Sequence, residues 1–159
     1  MRIIGVDPGT ATTGFGIIDH HKGKFTFVDA GVITTPAGQP MPERLITIHT
    51  ELAEVIRDTN PEQAVVEQLF FATNVTTAIS VGQARGVILL TLAEAGLLAA
   101  EYTPMQIKQA VTGYGGAKKP QIQEMVRTLL NLPTIPKPDD AADALAIAIT
   151  HANQAPLLT

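Results

Sequence analysis

Met1-Arg2-Ile3-Ile4-Gly5-Val6-Asp7-Pro8-Gly9 opens the sequence, and its middle decides the fold. Ile3 to Val6 is a short, β-rich apolar run without polar alternation, which reads as a fully buried strand. Pro8 and Gly9 turn the chain immediately afterwards and leave Asp7 at the strand end. Two further strand-like runs follow, Gly14 to Asp19 and Lys24 to Thr34, joined by the polar segment His20-His21-Lys22-Gly23, in which both histidines read as turn residues. The period then changes. Leu45, Ile48, Leu52, Val55 and Ile56 fall on one helical face between Pro42 and Thr59, and Asn60-Pro61 ends that helix.

Gln63 to Gln68, around Ala64-Val65-Val66, reads as a fourth strand, and Leu69 to Asn74 as a loop. Asn74 or Thr76 can cap a long helix running to about Ala95, with Gly96 as its stop. Between Gly86 and Ala93 that helix is apolar on nearly every side, so a single sheet face cannot bury it. Gly82 and Gly86 would let another helix approach closely, which implies a second burying surface, most simply another subunit. Ala99 to Thr103 reads as a fifth strand, followed by helices over 104–111, 120–130 and 139–151. Strands separated by helices favour parallel neighbours, so the chain reads as α/β with a mixed five-stranded sheet and packed helices.

At 159 residues the chain suits one domain over 1–159, with 152–159 as a flexible tail. With 45% hydrophobic and 16% charged residues it is globular rather than disordered. The absence of cysteine excludes a disulfide scaffold, a thiolate-ligated metal and a cysteine nucleophile. The first residues lack the apolar run of a signal peptide, and the longest apolar stretch, Gly86 to Ala95, is shorter than a membrane span. A cytoplasmic protein is the expectation.

Four carboxylates stand where chemistry gathers. Asp7 and Glu67 end strands that are expected to be parallel neighbours, and open α/β sheets bind their ligands at that edge. Asp140 and Asp143 lie three apart, hence on one face, in the first turn of the last helix. Singly, each has an ordinary reading as a turn residue, a solvated strand end or a helix N-terminal acid. Converged, they would repel one another and call for hard cations, Mg2+ or Mn2+. Two such ions can activate a water and stabilise the leaving oxygen of a phosphodiester.

Net charge is −4, which by itself argues against nucleic acid. The charge is segregated, however. Between Tyr102 and Pro138 stand Lys108, Lys118, Lys119, Arg127 and Lys137 against Glu124 alone, a local balance of +4. Lys118 and Lys119 follow the glycine loop Gly113-Tyr114-Gly115-Gly116, which can bend to a phosphate backbone. Phe70 and Phe71 are adjacent in a strand-end loop, so one of them is expected at the surface, where it could stack on an unpaired base. Tyr114 could serve the same purpose. The four histidines offer no metal spacing.

Ile4-Gly5-Val6-Asp7-Pro8-Gly9, Val66-Glu67-Gln68, Gly82-Gln83-Ala84-Arg85-Gly86, Lys108-Gln109 and Asp140-Ala141-Ala142-Asp143-Ala144-Leu145-Ala146 occur in an order that resembles the RuvC family of bacterial Holliday junction resolvases. The resemblance runs nearly end to end and implies a ribonuclease H-like fold with helices on both faces of the sheet. It implies that Asp7, Glu67, Asp140 and Asp143 are catalytic and metal-binding, with two Mg2+ per site and Mn2+ able to substitute. It also implies that Lys108 and Lys119 lie near the scissile strand and that Phe70 contacts a base. The long helix over 74–95 would form a homodimer interface, and four-way junction DNA with the branch-migration proteins RuvA and RuvB would be the partners. Lys118 departs from the pattern as an extra lysine before Pro120, so Lys118 and Lys119 both remain candidates. Only the Asp-Ala-Ala-Asp register selects Asp140 over Asp139. Asp7-Pro8-Gly9-Thr10 also resembles the phosphate loop of actin-like ATPases, but no second phosphate loop follows. A silent DNA-binding module and a monomeric nuclease acting on RNA are the remaining alternatives.

Overall fold

A computed structural model describes residues 1–68 and 74–155. Five strands, β1 (Arg2–Asp7), β2 (Thr12–His21), β3 (Lys24–Thr34), β4 (Gln63–Glu67) and β5 (Ala99–Tyr102), form one mixed sheet in the order β3-β2-β1-β4-β5. The first three are antiparallel, whereas β1–β4 and β4–β5 are parallel. Five helices cover it: α1 (Met41–Thr59), α2 (Val75–Glu94), α3 (Pro104–Thr112), α4 (Lys119–Leu129) and α5 (Asp139–Gln154). Asn74 caps α2, its side chain accepting from the Thr76 and Thr77 amides. Thr103 and Gln106 form a reciprocal cap on α3.

Alternation along β1 sorts the two cores. Ile3 faces α3, α4 and α5 together with Ile18 and Val65, while Ile4 and Val6 face α1 and α2 with Ile17, Ala64 and Val66. Each layer is therefore filled from a central strand outward, which accounts for the unbroken apolar run at Ile3 to Val6. The α5 side is unusually close. A Cβ placed on Gly5 would lie 2.3 Å from the Ala144 carbonyl oxygen, one on Gly14 would lie 2.1 Å from that of Asp140, and one on Gly16 would lie 2.7 Å from the Leu145 nitrogen. These glycines leave a smooth floor on which the backbone of α5 rests directly, and its alanines at 141, 142, 144, 146 and 148 are buried there.

Three expectations change. His20 and His21 belong to β2, because Lys22 and Gly23 both adopt positive φ and make a two-residue turn that matches strand twist. His20 is buried and stacks on Phe25. Helix α5 continues to Gln154, with Ala152 buried and the Asn153 side chain donating to the Ala110 carbonyl, so the tail does not begin at 152. Helix α2 is long and apolar enough by length and composition to cross a membrane, with mean hydropathy 1.4 over 18 residues, because the turns before Gly86 add apolar residues and carry only one charge, Arg85. Its inner face, Ala84, Ile88 and Leu92, packs in the core with α1. Its outer face leaves Val75 71%, Ile79 59% and Leu90 54% exposed, and nothing lies within 4 Å of a Cβ built on Gly86.

Gly5→Ala is expected to destabilise the protein by about 3 kcal/mol, since two backbone atoms of α5 must give way. Gly38→Ala, at a position open to solvent, should stay within about 0.5 kcal/mol of the parent. Urea denaturation of the two variants distinguishes these outcomes, and equal midpoints would contradict the close-packed floor.

Candidate active site

Strand alternation aims the first two carboxylates. Asp7 follows Ile3 and Gly5 on the α5 side of β1, and Glu67 follows Val65 on the same side of β4. Val6 pairs with Val66 in the parallel ladder, so Asp7 and Glu67 leave adjacent strand ends side by side. The α5 backbone, held down on Gly14, brings the third and fourth. One oxygen each from Asp7, Asp140 and Asp143 lie within 4.8 Å of one another, and all three residues are half-buried. Glu67 adjoins them, close enough to Asp7 to share a hydrogen bond.

The electrostatic consequence is strong. Burial, with the charges of Glu67, Asp143 and Asp140, pushes the Asp7 carboxyl up to about 8. Burial and Asp143 raise Glu67, against the opposing pull of the Asp7 hydrogen bond and Lys108. Burial raises Asp143 as well, although Lys119 partly offsets it. An all-oxygen donor set that resists its own ionisation fits a hard divalent cation.

The doubled aspartate resolves in geometry. Asp139 is taken up by Lys119 at 3.5 Å, Lys137 at 3.8 Å and the Gln123 amide at 3.1 Å, whereas Asp140 is the one that joins the cluster. Lys119 Nζ also lies 3.5 Å from Asp143 Oδ2. Burial works against the Lys119 charge, but Asp143 and Asp139 outweigh it and raise its pKa. Lys118 precedes α4, its backbone N–H donating to Gln121 Oε1, and it contacts no carboxylate within 4 Å among the described residues. Lys108, Lys118 and Lys119 nevertheless line one cleft of about 460 Å3 with Glu67 and Asp143, over an apolar floor that includes Ile107 and Ile122. Tyr114 is exposed, with its hydroxyl lying over Gly116. Phe70 and Phe71 fall outside the described residues.

Two supports escaped the sequence reading. Arg85, the sole cation of α2, pairs with Glu101 and donates to the Glu67 carbonyl at 3.4 Å, tying down the end of β4. A lone arginine in an apolar helix was the available signal. Thr10 donates to the Ser80 carbonyl at 2.9 Å and shares a 2.6 Å bond with its hydroxyl, stapling the loop after Asp7 to α2. Nothing local in the sequence announces that contact.

Sheet order, glycine-seated helix and converged carboxylates together define a nuclease of the ribonuclease H-like class. Residues 3–151 match the family model described as crossover junction endodeoxyribonuclease RuvC. The RuvC of Chloroflexus aurantiacus is 58% identical over 158 residues, covering 99% of this chain and 96% of its own length. The Thermus thermophilus RuvC structure superposes with TM-score 0.89 at 40% identity, covering 96% of this chain and 94% of that one. T. thermophilus RuvC in complex with a Holliday junction substrate gives 0.91 at 39% identity, covering 96% and 93%. The chain belongs to the RuvC family of crossover junction endodeoxyribonucleases.

A carboxyl raised from 3.8 to about 8 binds more protons in the folded than in the unfolded state, so without metal the protein loses stability as pH rises from about 4 to about 8. In EDTA, the urea midpoint should therefore fall between pH 5 and pH 8. Asp7→Asn should flatten that slope and raise stability at pH 8 by about 1–3 kcal/mol. A parent protein whose metal-free stability does not change over this range would contradict the crowded cluster.

Proposed function

We propose that this chain resolves four-way DNA junctions as a cytoplasmic homodimer, each active site holding two Mg2+ ions on Asp7, Glu67, Asp140 and Asp143, with Mn2+ able to replace them. The observation that carries the reading is the convergence of Asp7, Asp140 and Asp143 oxygens within 4.8 Å in a chain of the RuvC family. When bound, such ions supply a nucleophilic hydroxide at neutral pH and offset charge on the leaving oxygen.

The chain's own residues do the rest. Asp7 is the central ligand because it touches both Glu67 on one side and the α5 aspartates on the other. Lys119 holds charge at the mouth of the cluster and can exchange its carboxylate partners for an oxygen of the scissile phosphate. Lys108 and Lys118, in the same cleft, hold the strand on one side of that phosphate. Phe70 contacts a base where the strands part.

Two equivalent strands call for two equivalent sites, which two-fold symmetry supplies. The exposed Val75, Ile79 and Leu90 stripe on α2, with the bare Gly86 beside it, supports this helix as the contact between copies. RuvA and RuvB are proposed as the partners that present the junction, on the family resemblance. Residues 1–159 act as one domain in this reading.

Cleavage of a four-way junction, a matched duplex and an RNA–DNA hybrid, with Mg2+ and with EDTA, tests it directly. Paired cuts confined to the junction and abolished by EDTA are expected. Asp7→Asn should reduce the rate by at least about 10³-fold and Lys119→Ala by about 10²-fold. If the double variant Asp7→Asn, Glu67→Gln cuts at the parent rate, the carboxylate assignment is wrong; if the hybrid is the preferred substrate, the junction assignment is.

A further inference from the structure

The loop that follows Asp7 borders a second groove, on the side opposite the lysine cleft. It encloses about 540 Å3 between the loop, α1 and the first turns of α2, and its polar lining is Thr10, Thr12, Arg44, Thr76, Thr77 and Ser80. No carboxylate lines it among the described residues. In a chain of net charge −4, a groove with one cation, five hydroxyls and no acid is a marked local departure.

The cation is held for use. Arg44 Nε donates to Thr35 Oγ1 at 2.8 Å, and buried Thr35 in turn donates to the Thr10 carbonyl at 2.6 Å. This relay orients the guanidinium through one nitrogen and leaves both Nη groups without a hydrogen-bond partner among the described residues. No carboxylate lies within 4 Å of it among those residues either. A guanidinium fixed at its stem and unpaired at its fork suits a phosphate, which takes two parallel N–H bonds. The helix end is not itself the attraction, because Asn74 already accepts from the Thr76 and Thr77 amides. The threonine hydroxyls on that turn remain exposed to the groove.

Position gives the ligand its identity. Gly9, at the groove's edge, is two residues from Asp7, so their Cα atoms lie within about 7 Å. A strand that places one phosphate at the carboxylates must carry neighbouring phosphates to either side. The lysine cleft takes one direction and this groove lies in the other.

We infer that the Arg44 groove binds a backbone phosphate of the same DNA strand that is cut, beside the scissile one, and so sets the strand's direction across the site. The inference rests on the proposed DNA-cleaving function. Such a contact carries no base information, so it contributes equally to junctions of any sequence.

The test is binding of a fluorescently labelled four-way junction to the full chain in EDTA, from 50 to 200 mM salt. Arg44→Gln should weaken binding about 5- to 10-fold at all junction sequences and reduce the slope of log K against log salt by about one. Arg44→Lys, which keeps the charge, should retain the parent slope. Thr77→Glu places an acid where a helix N-terminus welcomes it, so folding is preserved, and it should weaken binding at least as much. If Arg44→Gln proves unfolded by circular dichroism, Thr77→Glu decides. Parent-like affinity and slope in the folded variants overturn the groove while leaving the junction reading intact. A parent protein that binds no junction at all overturns both.

Discussion

Everything at the functional edge depends on how closely α5 lies on the sheet. An α-helix normally stands about 10 Å from a sheet, separated by the side chains of both. Here Gly5, Gly14 and Gly16 remove one of those layers, and a run of alanines on α5 thins the other. The helix backbone descends onto β1 and β2, and its first turn comes down beside the end of β1. Only at that depth can Asp140 and Asp143 reach Asp7. Added methyl groups on the floor would lift the helix and separate carboxylates whose oxygens lie within 4.8 Å of one another.

The same closeness makes the site costly in isolation. Burial and neighbouring charge raise the Asp7, Glu67 and Asp143 carboxyls, so the cluster carries an electrostatic strain of the kind a divalent cation would relieve. The surrounding residues hold the arrangement against that strain. Arg85 ties down the β4 end, the Thr10–Ser80 bonds fix the loop after Asp7, and Lys119 bridges Asp139 to Asp143. Whole-chain charge hides this organisation. The net −4 combines an acidic cluster, a basic cleft beside it and a groove whose described lining holds no acid, so the local balances differ in sign from the total.

Much of the fold was readable because its signals are local. The unbroken run Ile3 to Val6, the helical spacing of Leu45 to Ile56, the Asn74 cap and the Gly96 stop each act within a few residues, and each corresponds to an element of the structure. Errors arose where a local signal was ambiguous. Polar histidines before Lys22-Gly23 resemble a turn, yet the strand twist selected a tighter turn and kept His20 in the core, stacked on Phe25. At α2 the apolar run was underestimated because Thr76, Thr77, Ser80, Gln83 and Arg85 interrupt the apolar residues of its first half.

Sequence by itself determined which residues could carry the chemistry: carboxylates at two strand ends and one helix start, lysines gathered in one segment, and a family pattern that runs through both. It also determined the order of elements, since periodicity, caps and turns act over short stretches of chain. Tertiary structure alone decided that Asp139 is drawn aside to Lys119, Lys137 and Gln123, that Lys119 rather than Lys118 faces the cluster, and that Arg44 lies across from the lysines with no carboxylate partner among the described residues. Those choices depend on the parallel register of β1 with β4 and on the depth at which α5 settles, and both are set by contacts between residues as much as 143 positions apart. No short-range interaction encodes them.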